Sequence, residues 1–156
     1  MVLTNTYVNL NLNSLREKLD ELYPGQFLPP RIKGSFVVAR RVPGQFLIQS
    51  NVGGASGVFL LTSVPAHYVE FSTFAEAIAD GPFRRRVEAQ CCWISVDLLS
   101  GSDNEAEAYR FIEQVLAKLA PADAAFVVDP SKRITVVFDD ELRRRFAGGE
   151  MILSSP

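Results

Sequence analysis

Three strand-like segments follow one another over residues 35–64, joined by connections too short to hold a helix. The segments are SFVVARRV, QFLIQSN and GVFLLTSV, and the connections contain Pro43-Gly44 and the glycine-rich VGGAS. Consecutive strands with such short connections run antiparallel, because a parallel pair needs a crossover of a dozen or more residues. This part of the chain therefore predicts an antiparallel meander.

The N-terminal region changes its apolar period from that of a strand to that of a helix. YVNLNL alternates apolar and polar residues, which predicts a half-buried strand over residues 7–12. In SLREKLDELYPG, Leu15 and Leu19 share a helical face, and Ser14 with Glu17 matches a capping box. The order predicted here is a strand followed by a helix.

The second half of the chain alternates between helical and strand-like segments. Two capping-box patterns predict helices in FSTFAEAIADG and NEAEAYRFIEQVLAKLAP: Thr73 with Glu76, and Ser102 with Glu105. Between them, a short helix is predicted from Pro82 and a strand in EAQCCWISVDLL. AAFVVD and RITVVFD predict a hairpin, and DELRRRFAGG predicts a closing helix.

This mixture of hairpins and interspersed helices is typical of an α+β fold. We predict a mainly antiparallel sheet of about six or seven strands with helices packed on one side. A chain of 156 residues is long enough for one domain with one core, and no repeat or linker interrupts it. We expect a single domain over residues 1–156, with a loose tail over residues 150–156.

Charge and hydropathy exclude several classes of partner. The formal net charge is -2, from 18 acidic and 16 basic residues, so no overall positive field favours a nucleic acid. No apolar stretch approaches the roughly 20 residues that span a bilayer, and the N-terminus lacks the pattern of a secretory signal. We expect a cytoplasmic protein whose partner is another protein, with no nucleic acid bound and no membrane span.

Two adjacent cysteines and the only tryptophan open the predicted strand EAQCCWISVDLL. Alternation along a strand places Cys92 on the apolar face, where a free thiol packs as a small hydrophobe, and Cys91 on the mixed face beside Trp93. A disulfide between neighbours in an extended strand does not match the usual separation of bridged cysteines. The pair also lacks the spacing of a zinc site, and we predict neither a metal site nor a cofactor.

A single histidine, His67, limits the catalytic possibilities. It excludes sites that need several imidazoles. Cys91, or a serine, with His67 as its base would form the nucleophilic site of a small hydrolase or transferase. No serine stands in a Gly-x-Ser-x-Gly turn, and no pattern places Cys91 beside His67. We therefore predict no catalytic residue and keep this enzyme as an alternative.

A glycine-rich stretch and an acidic cluster both have structural explanations. NVGGASGVF lacks the Gly-Lys-Ser/Thr ending of a phosphate-binding loop and leads into a strand, so its glycines fit a turn. Asp139, Asp140 and Glu141 fall at the start of the closing helix, where negative charge favours the helix dipole. Neither motif predicts a site.

Two arginine runs share one pattern, in which an apolar residue stands on each side of three arginines. In FRRRV (83–87) and LRRRF (142–146), the outer residues lie at i and i+4 and face the core of a helix together. The arginines then cover an exposed face that suits the carboxylates of an acidic partner surface. The residues predicted to bind the partner are Arg84, Arg85, Arg86, Arg143, Arg144 and Arg145.

The function that these patterns favour is a non-enzymatic protein-interaction domain. It would serve as an adaptor, a secretion-associated factor or an inhibitor or immunity-type binding protein, acting through the arginine-lined surface. An edge strand of the meander offers a second way to pair with a partner. The hydrolase or transferase is one alternative, and an anion- or ligand-sensing domain that binds between the two arginine runs is another.

Overall fold

A computed structural model describes residues 1–27, 34–68, 81–101, 104–150 and 152–153, with only the backbone of residues 82, 83 and 86. The strands in this part are β1 (Val2–Thr4), β2 (Phe36–Ala39), β3 (Gln45–Val52), β4 (Ala55–Val64), β5 (Cys92–Ser100), β6 (Phe126–Asp129) and β7 (Ile134–Val137). The helices are α1 (Leu12–Leu22), α2 (Gly81–Glu88), α3 (Glu105–Leu119) and α4 (Asp140–Ala147).

All seven described strands form one sheet in the order β2-β3-β4-β5-β1-β6-β7, and every neighbouring pair is antiparallel. The predicted α+β fold with a mainly antiparallel sheet is confirmed. The meander corresponds to β2, β3 and β4, and the predicted hairpin corresponds to β6 and β7. The short β1 lies near the middle of the sheet and joins the meander side to this hairpin.

Helices α1, α3 and α4 cover one face of the sheet. Leu15 of α1, Phe111 of α3 and Phe146 of α4 share a core with Ile48 and Phe59 of the sheet. The ring centroids of Phe59 and Phe111 lie 4.5 Å apart, within the range of a favourable aromatic pair. These three helices therefore follow the prediction of helices packed on one side.

Helix α2 lies on the opposite face of the sheet. Side chains alternate along a strand, so Val2 of β1 joins the main core while its neighbour Leu3 points the other way. Val87 of α2 packs in a smaller cluster with Leu3 and with Phe126 of β6. Consequently the arginine runs of α2 and α4 are carried by helices on opposite faces of the sheet.

The N-terminal region differs from the prediction, because residues 7–11 form no strand and α1 begins at Leu12. The side chain of Asn11 accepts hydrogen bonds from the backbone N–H groups of Asn13 and Ser14, at 3.0 and 2.9 Å. The hydroxyl of Ser14 in turn accepts from the N–H of Asn11. This reciprocal cap starts the helix earlier than the predicted pair of Ser14 and Glu17.

Two other predicted helix starts fall partly or wholly outside the described residues. The helix expected from Thr73 and Glu76 lies outside them, and so does Ser102. Helix α3 begins at Glu105 and is capped by Asn104, whose side chain accepts a hydrogen bond from the N–H of Glu107. The described cap thus comes from the residue next to the helix, and the predicted pair of Ser102 with Glu105 includes a residue outside the described part.

Two structural interpretations of the sequence motifs are confirmed. Gly53 and Gly54 form the two-residue turn between β3 and β4, with φ values of 58° and 82° that suit a type I′ hairpin turn. Asp139 caps α4 by accepting a hydrogen bond from the N–H of Leu142 at 2.8 Å, and Asp140 stands in its first turn.

Within the described ranges, none of the helices has the length and apolar character that a membrane span requires.

Candidate functional site

A cleft of about 610 Å³ opens beyond the Met1 end of β1. β1 is three residues long, whereas its neighbour β5 has nine. Val2 pairs with Ile94 of β5 on one side and with Val127 of β6 on the other. Farther along, no described strand lies between β5 and β6, and the cleft is walled by these two strands, by α3 and by Leu153.

The direction of the backbone groups around β1 follows from its hydrogen bonds. The amino group of Met1 donates to the carbonyl of Val128 at 2.7 Å, and the carbonyl of Met1 accepts from the N–H of Val128 at 2.9 Å. Backbone groups of successive residues in a strand point to opposite sides, so those of Val2 point to β5 and face Ile94. Ile94 therefore directs its own backbone groups towards β1.

The open edge of β5 presents unpaired backbone groups to the cleft. Because the backbone groups of every second residue in a strand point to the same side, Val96 and Leu98 direct their N–H and C=O groups to the same side as Ile94. No strand among the described residues pairs with them on that side. Such an open edge is a template for another strand. On the β6 side the next equivalent position is Pro130, which has no N–H and whose carbonyl already accepts from the N–H of Arg133 at 3.4 Å, so an added strand would pair with β5.

The apolar wall of the cleft comes from α3 and from the end of β5. Ala108 and Ile112 of α3 line it together with Leu98. Leu98 is 37% exposed, because no described strand covers β5 on that side. Leu99 is 53% exposed and lies outside the cleft. Leu98 and Leu99 therefore provide a test position inside the cleft and a matched control position outside it.

Three carboxylates line the cleft, and no lysine or arginine side chain does. Asp97 and Glu105 are exposed, whereas Asp129 is buried and accepts hydrogen bonds from the N–H and the hydroxyl of Ser131, at 3.0 and 2.6 Å. None of the ion pairs formed in the described part of the chain involves these three acids. The negative charge of the cleft is therefore not neutralised by basic side chains.

A buried carboxylate holds the C-terminal segment against the cleft. Glu113 of α3 is 0% exposed and accepts hydrogen bonds from the N–H groups of Leu153 and Ile152, at 2.7 and 3.1 Å. Burial raises the pKa of Glu113, although these two bonds and the charges of Lys132 and Arg145 act in the opposite direction. The hydrogen bonds to Glu113 therefore hold Ile152 and Leu153 in place, whereas a loose tail was expected over residues 150–156. Leu153 forms part of the cleft wall.

The arginine run of α4 contains one residue with a clear structural task. The guanidinium of Arg143 donates to the carbonyls of Ala120 and Pro121, both at 2.8 Å, and to that of Ala117 at 3.3 Å. The last carbonyls of a helix have no partner within the helix, and a cation there also favours the helix dipole. Arg143 therefore completes the C-terminal end of α3, a role that the run of three arginines alone does not indicate.

The other arginines of the two runs whose side chains are described are exposed, and three of them form local ion pairs. Arg84 pairs with Glu88, Arg144 with Glu141 and Arg145 with Glu150, at 2.9, 3.1 and 2.7 Å. Arg85 is exposed, and the side chain of Arg86 lies outside the described part. Because α2 and α4 lie on opposite faces of the sheet, the two runs belong to separate surfaces. Partner binding by these arginines stays a prediction.

The two cysteines lie side by side at the start of β5. Cys92 is buried, as predicted, but the Sγ atoms of Cys91 and Cys92 are only 3.6 Å apart. The predicted placement of the thiols on opposite faces is wrong, because Cys91 precedes the strand and its Sγ donates to the carbonyl of Asn5 at 3.3 Å. The side chain of His67 is exposed. The side chains of His67 and Cys91 both belong to the described part of the chain, and no hydrogen bond joins them.

We expect the two thiols to differ sharply in reactivity. Cys91 is exposed, whereas Cys92 is buried and its pKa is raised to about 11 by burial and by the neighbouring Cys91. Titration of the folded protein with a disulfide reagent at pH 8 should modify one thiol per chain, and a second only after unfolding. The variant Cys91→Ser should show no fast reaction. Rapid modification of two thiols in the folded protein would contradict the burial of Cys92.

None of the protein-family models, curated proteins or solved structures compared with the chain matches it. The function is therefore argued from the geometry. Among the described residues, no three histidine, cysteine, aspartate or glutamate side chains are grouped closely enough to hold a metal ion. The cleft, with its open strand edge and its carboxylates, is the strongest candidate site. Sequence reasoning did not identify it, because it is built from segments far apart in the chain.

Proposed function

We propose that the chain is a protein-interaction domain that binds an extended segment of a partner as an added strand along β5. The observation that carries the proposal is the open edge of β5, where the backbone groups of Val96 and Leu98 point into the cleft. Main-chain hydrogen bonds at such an edge supply affinity, and pockets for alternate side chains supply specificity.

The width of the cleft supports a strand as its occupant. β5 and β6 both pair with β1, so they lie two strand spacings, about 9.5 Å, apart. One extended chain therefore fits between β5 and β6, in the position that β1 occupies farther along the sheet. Its side chains on the α3 side would contact Ala108, Ile112 and Leu98, which form the apolar wall.

The same kind of function was expected from the sequence, but on a different surface. Three arginines of the two runs already pair with neighbouring glutamates, and Arg143 caps α3. An anion held between the runs has little support, because α2 and α4 lie on opposite faces. The hydrolase or transferase alternative also has little support, since the exposed His67 shares no described hydrogen bond with Cys91.

A displayed library of random twelve-residue peptides tests the proposal. We expect selection against the folded protein to enrich peptides that bind in the cleft. The variant Leu98→Thr should weaken their binding on the order of tenfold, because it removes apolar contact worth roughly 1.4 kcal/mol while keeping a residue that favours strands. Leu99→Thr makes the same change at the exposed position outside the cleft and should bind like the unchanged protein.

The backbone pairing has its own measurement. A selected peptide resynthesised with N-methyl groups on the amides that face β5 should lose most of its affinity, because each methyl group removes a donor from the added ladder. Failure to enrich any peptide, or equal binding by the Leu98 and Leu99 variants, would contradict the proposal.

A further inference from the structure

The charge of the cleft specifies the chemistry of its occupant. We infer that the bound segment is basic and carries lysine or arginine side chains that pair with Asp97 and Glu105. This inference rests on the proposed function. It concerns the class of partner. The cleft predicts a basic segment, whereas the arginine runs predicted an acidic partner surface.

The carboxylates are distributed on both faces that an added strand would present. Along β5, Asp97 points to the face opposite that of Val96 and Leu98. Asp129 lies on the helix side, where its Oδ2 accepts a hydrogen bond from the Tyr109 hydroxyl at 3.5 Å, and Glu105 belongs to α3 itself. Side chains of an extended segment alternate in the same way, so neighbouring residues of the segment would each meet a carboxylate.

Lys132 lies beside the cleft, where its Nζ donates to the carbonyl of Leu153 and lies 4.6 Å from the ring centroid of Tyr109. The other positive group that the described residues place there is the amino group of Met1. Its burial lowers its pKa to about 6, while Asp97 and Asp129 act in the opposite direction. At pH 7.5 this amine is mostly uncharged, and it is engaged with the carbonyl of Val128. Asp129 is buried and already hydrogen-bonded, so a cationic side chain entering the cleft would find Asp97 and Glu105 available.

Other occupants fit these observations less well. A metal ion needs its ligands gathered around one point, and the three carboxylates are spread along the cleft without forming such a group in the described part of the chain. The arginine runs of a second copy of the chain do not fit as an added strand, because residues 84–86 and 143–145 lie in helices. A basic extended segment of a different protein satisfies both the open edge and the charge.

Peptide selection from a library without charge bias tests the inference. We expect the recovered peptides to be enriched in lysine and arginine. Their affinity should fall roughly tenfold for the double variant Asp97→Asn with Glu105→Gln, and should fall further as salt is raised from 50 to 300 mM. The matched control is Asp140→Asn with Glu141→Gln, which removes the same charge from the exposed first turn of α4 and should leave binding unchanged.

The outcomes separate this inference from the proposed function. If Leu98→Thr weakens binding but the peptides are not basic and the Asp97 and Glu105 variants bind normally, the strand proposal stands and the charge inference is wrong. If Leu98→Thr has no effect, the strand proposal itself is wrong, and the charge inference falls with it. Thermal unfolding of every variant shows whether each one is folded under the assay conditions.

Discussion

Replacing Glu113 with alanine is expected to lower the free energy of unfolding by about 3 kcal/mol. The carboxylate is fully buried and binds two backbone N–H groups 39 and 40 residues away. A buried donor without a partner costs about 1–3 kcal/mol, and undocking of the segment would instead expose Leu153 and Ile152. Urea unfolding measures the loss. Glu105→Ala, at an exposed position of the same helix, should have only a small effect.

Hydrogen exchange identifies where the stability is lost. We expect the amides of Ile152 and Leu153 to exchange faster in Glu113→Ala, while those of β3 and β4 stay protected under conditions that favour the folded state. Protection of Ile152 and Leu153 that is equal in the variant and the unchanged protein would show that another contact holds this segment. The same result would contradict the role given to Glu113.

The stability supplied by Glu113 should also depend on pH. Because burial raises its pKa, the folded state binds the Glu113 proton more tightly than the unfolded state does. Its titration therefore favours folding most at pH values below the ordinary glutamate pKa, and that contribution is lost as pH rises through the raised pKa. Glu113→Gln cannot titrate, so the stability of the unchanged protein relative to this variant should fall with rising pH. The charges of Lys132 and Arg145 act on Glu113 in the opposite direction to its burial.

Replacing Arg143 with alanine is expected to lower the free energy of unfolding by about 2 kcal/mol. The change leaves the carbonyls of Ala117, Ala120 and Pro121 without their shared donor, and hydrogen bonds to charged groups contribute roughly 1.5–3 kcal/mol. It also removes the guanidinium from the ring of Phe138, whose centroid lies 4.7 Å away. The loss would be measured by thermal or urea unfolding.

The next residue in the run provides the control for Arg143. Arg144 is 74% exposed in its side chain and pairs only with Glu141 on the surface, so Arg144→Ala should change the free energy of unfolding by less than about 0.5 kcal/mol. Arg143→Lys should fall between the two, because a single ammonium cannot reproduce the fork of the guanidinium. Equal losses for the Arg143 and Arg144 variants would rule out the capping role.

Much of the fold could be predicted because its strands are joined locally. The β2–β3–β4 meander and the β6–β7 hairpin depend on short turns that are visible in the sequence. The position of β1 could not be predicted in this way, since it pairs with strands some 90 and 125 residues farther along the chain. The strand predicted over residues 7–12 does not form. The hydrogen bonds by which Asn11 caps α1 outweigh the strand preference indicated by the alternation of Val8 and Leu10.

The candidate site was harder to predict than the fold. Its open edge exists only because β1 is shorter than β5, and the distance between β5 and β6 depends on the sheet order. Glu113 did leave a signal: it lies three residues before the buried Leu116 and two before the buried Val115, on a helix that packs against the sheet. A carboxylate at such a position requires buried donors, but the sequence does not show that Ile152 and Leu153 supply them.

The central place of β1 bears on how the chain folds as it is synthesised. Residues 2–4 are synthesised before both of their pairing strands, which follow only at residues 92–94 and 126–127. The β2–β4 meander can form during that interval, because all its contacts are close in sequence. Once β5 has been synthesised, β1 can pair with it, but the opposite edge of β1 has no partner until β6 follows, and binding by a chaperone is most favourable at that stage.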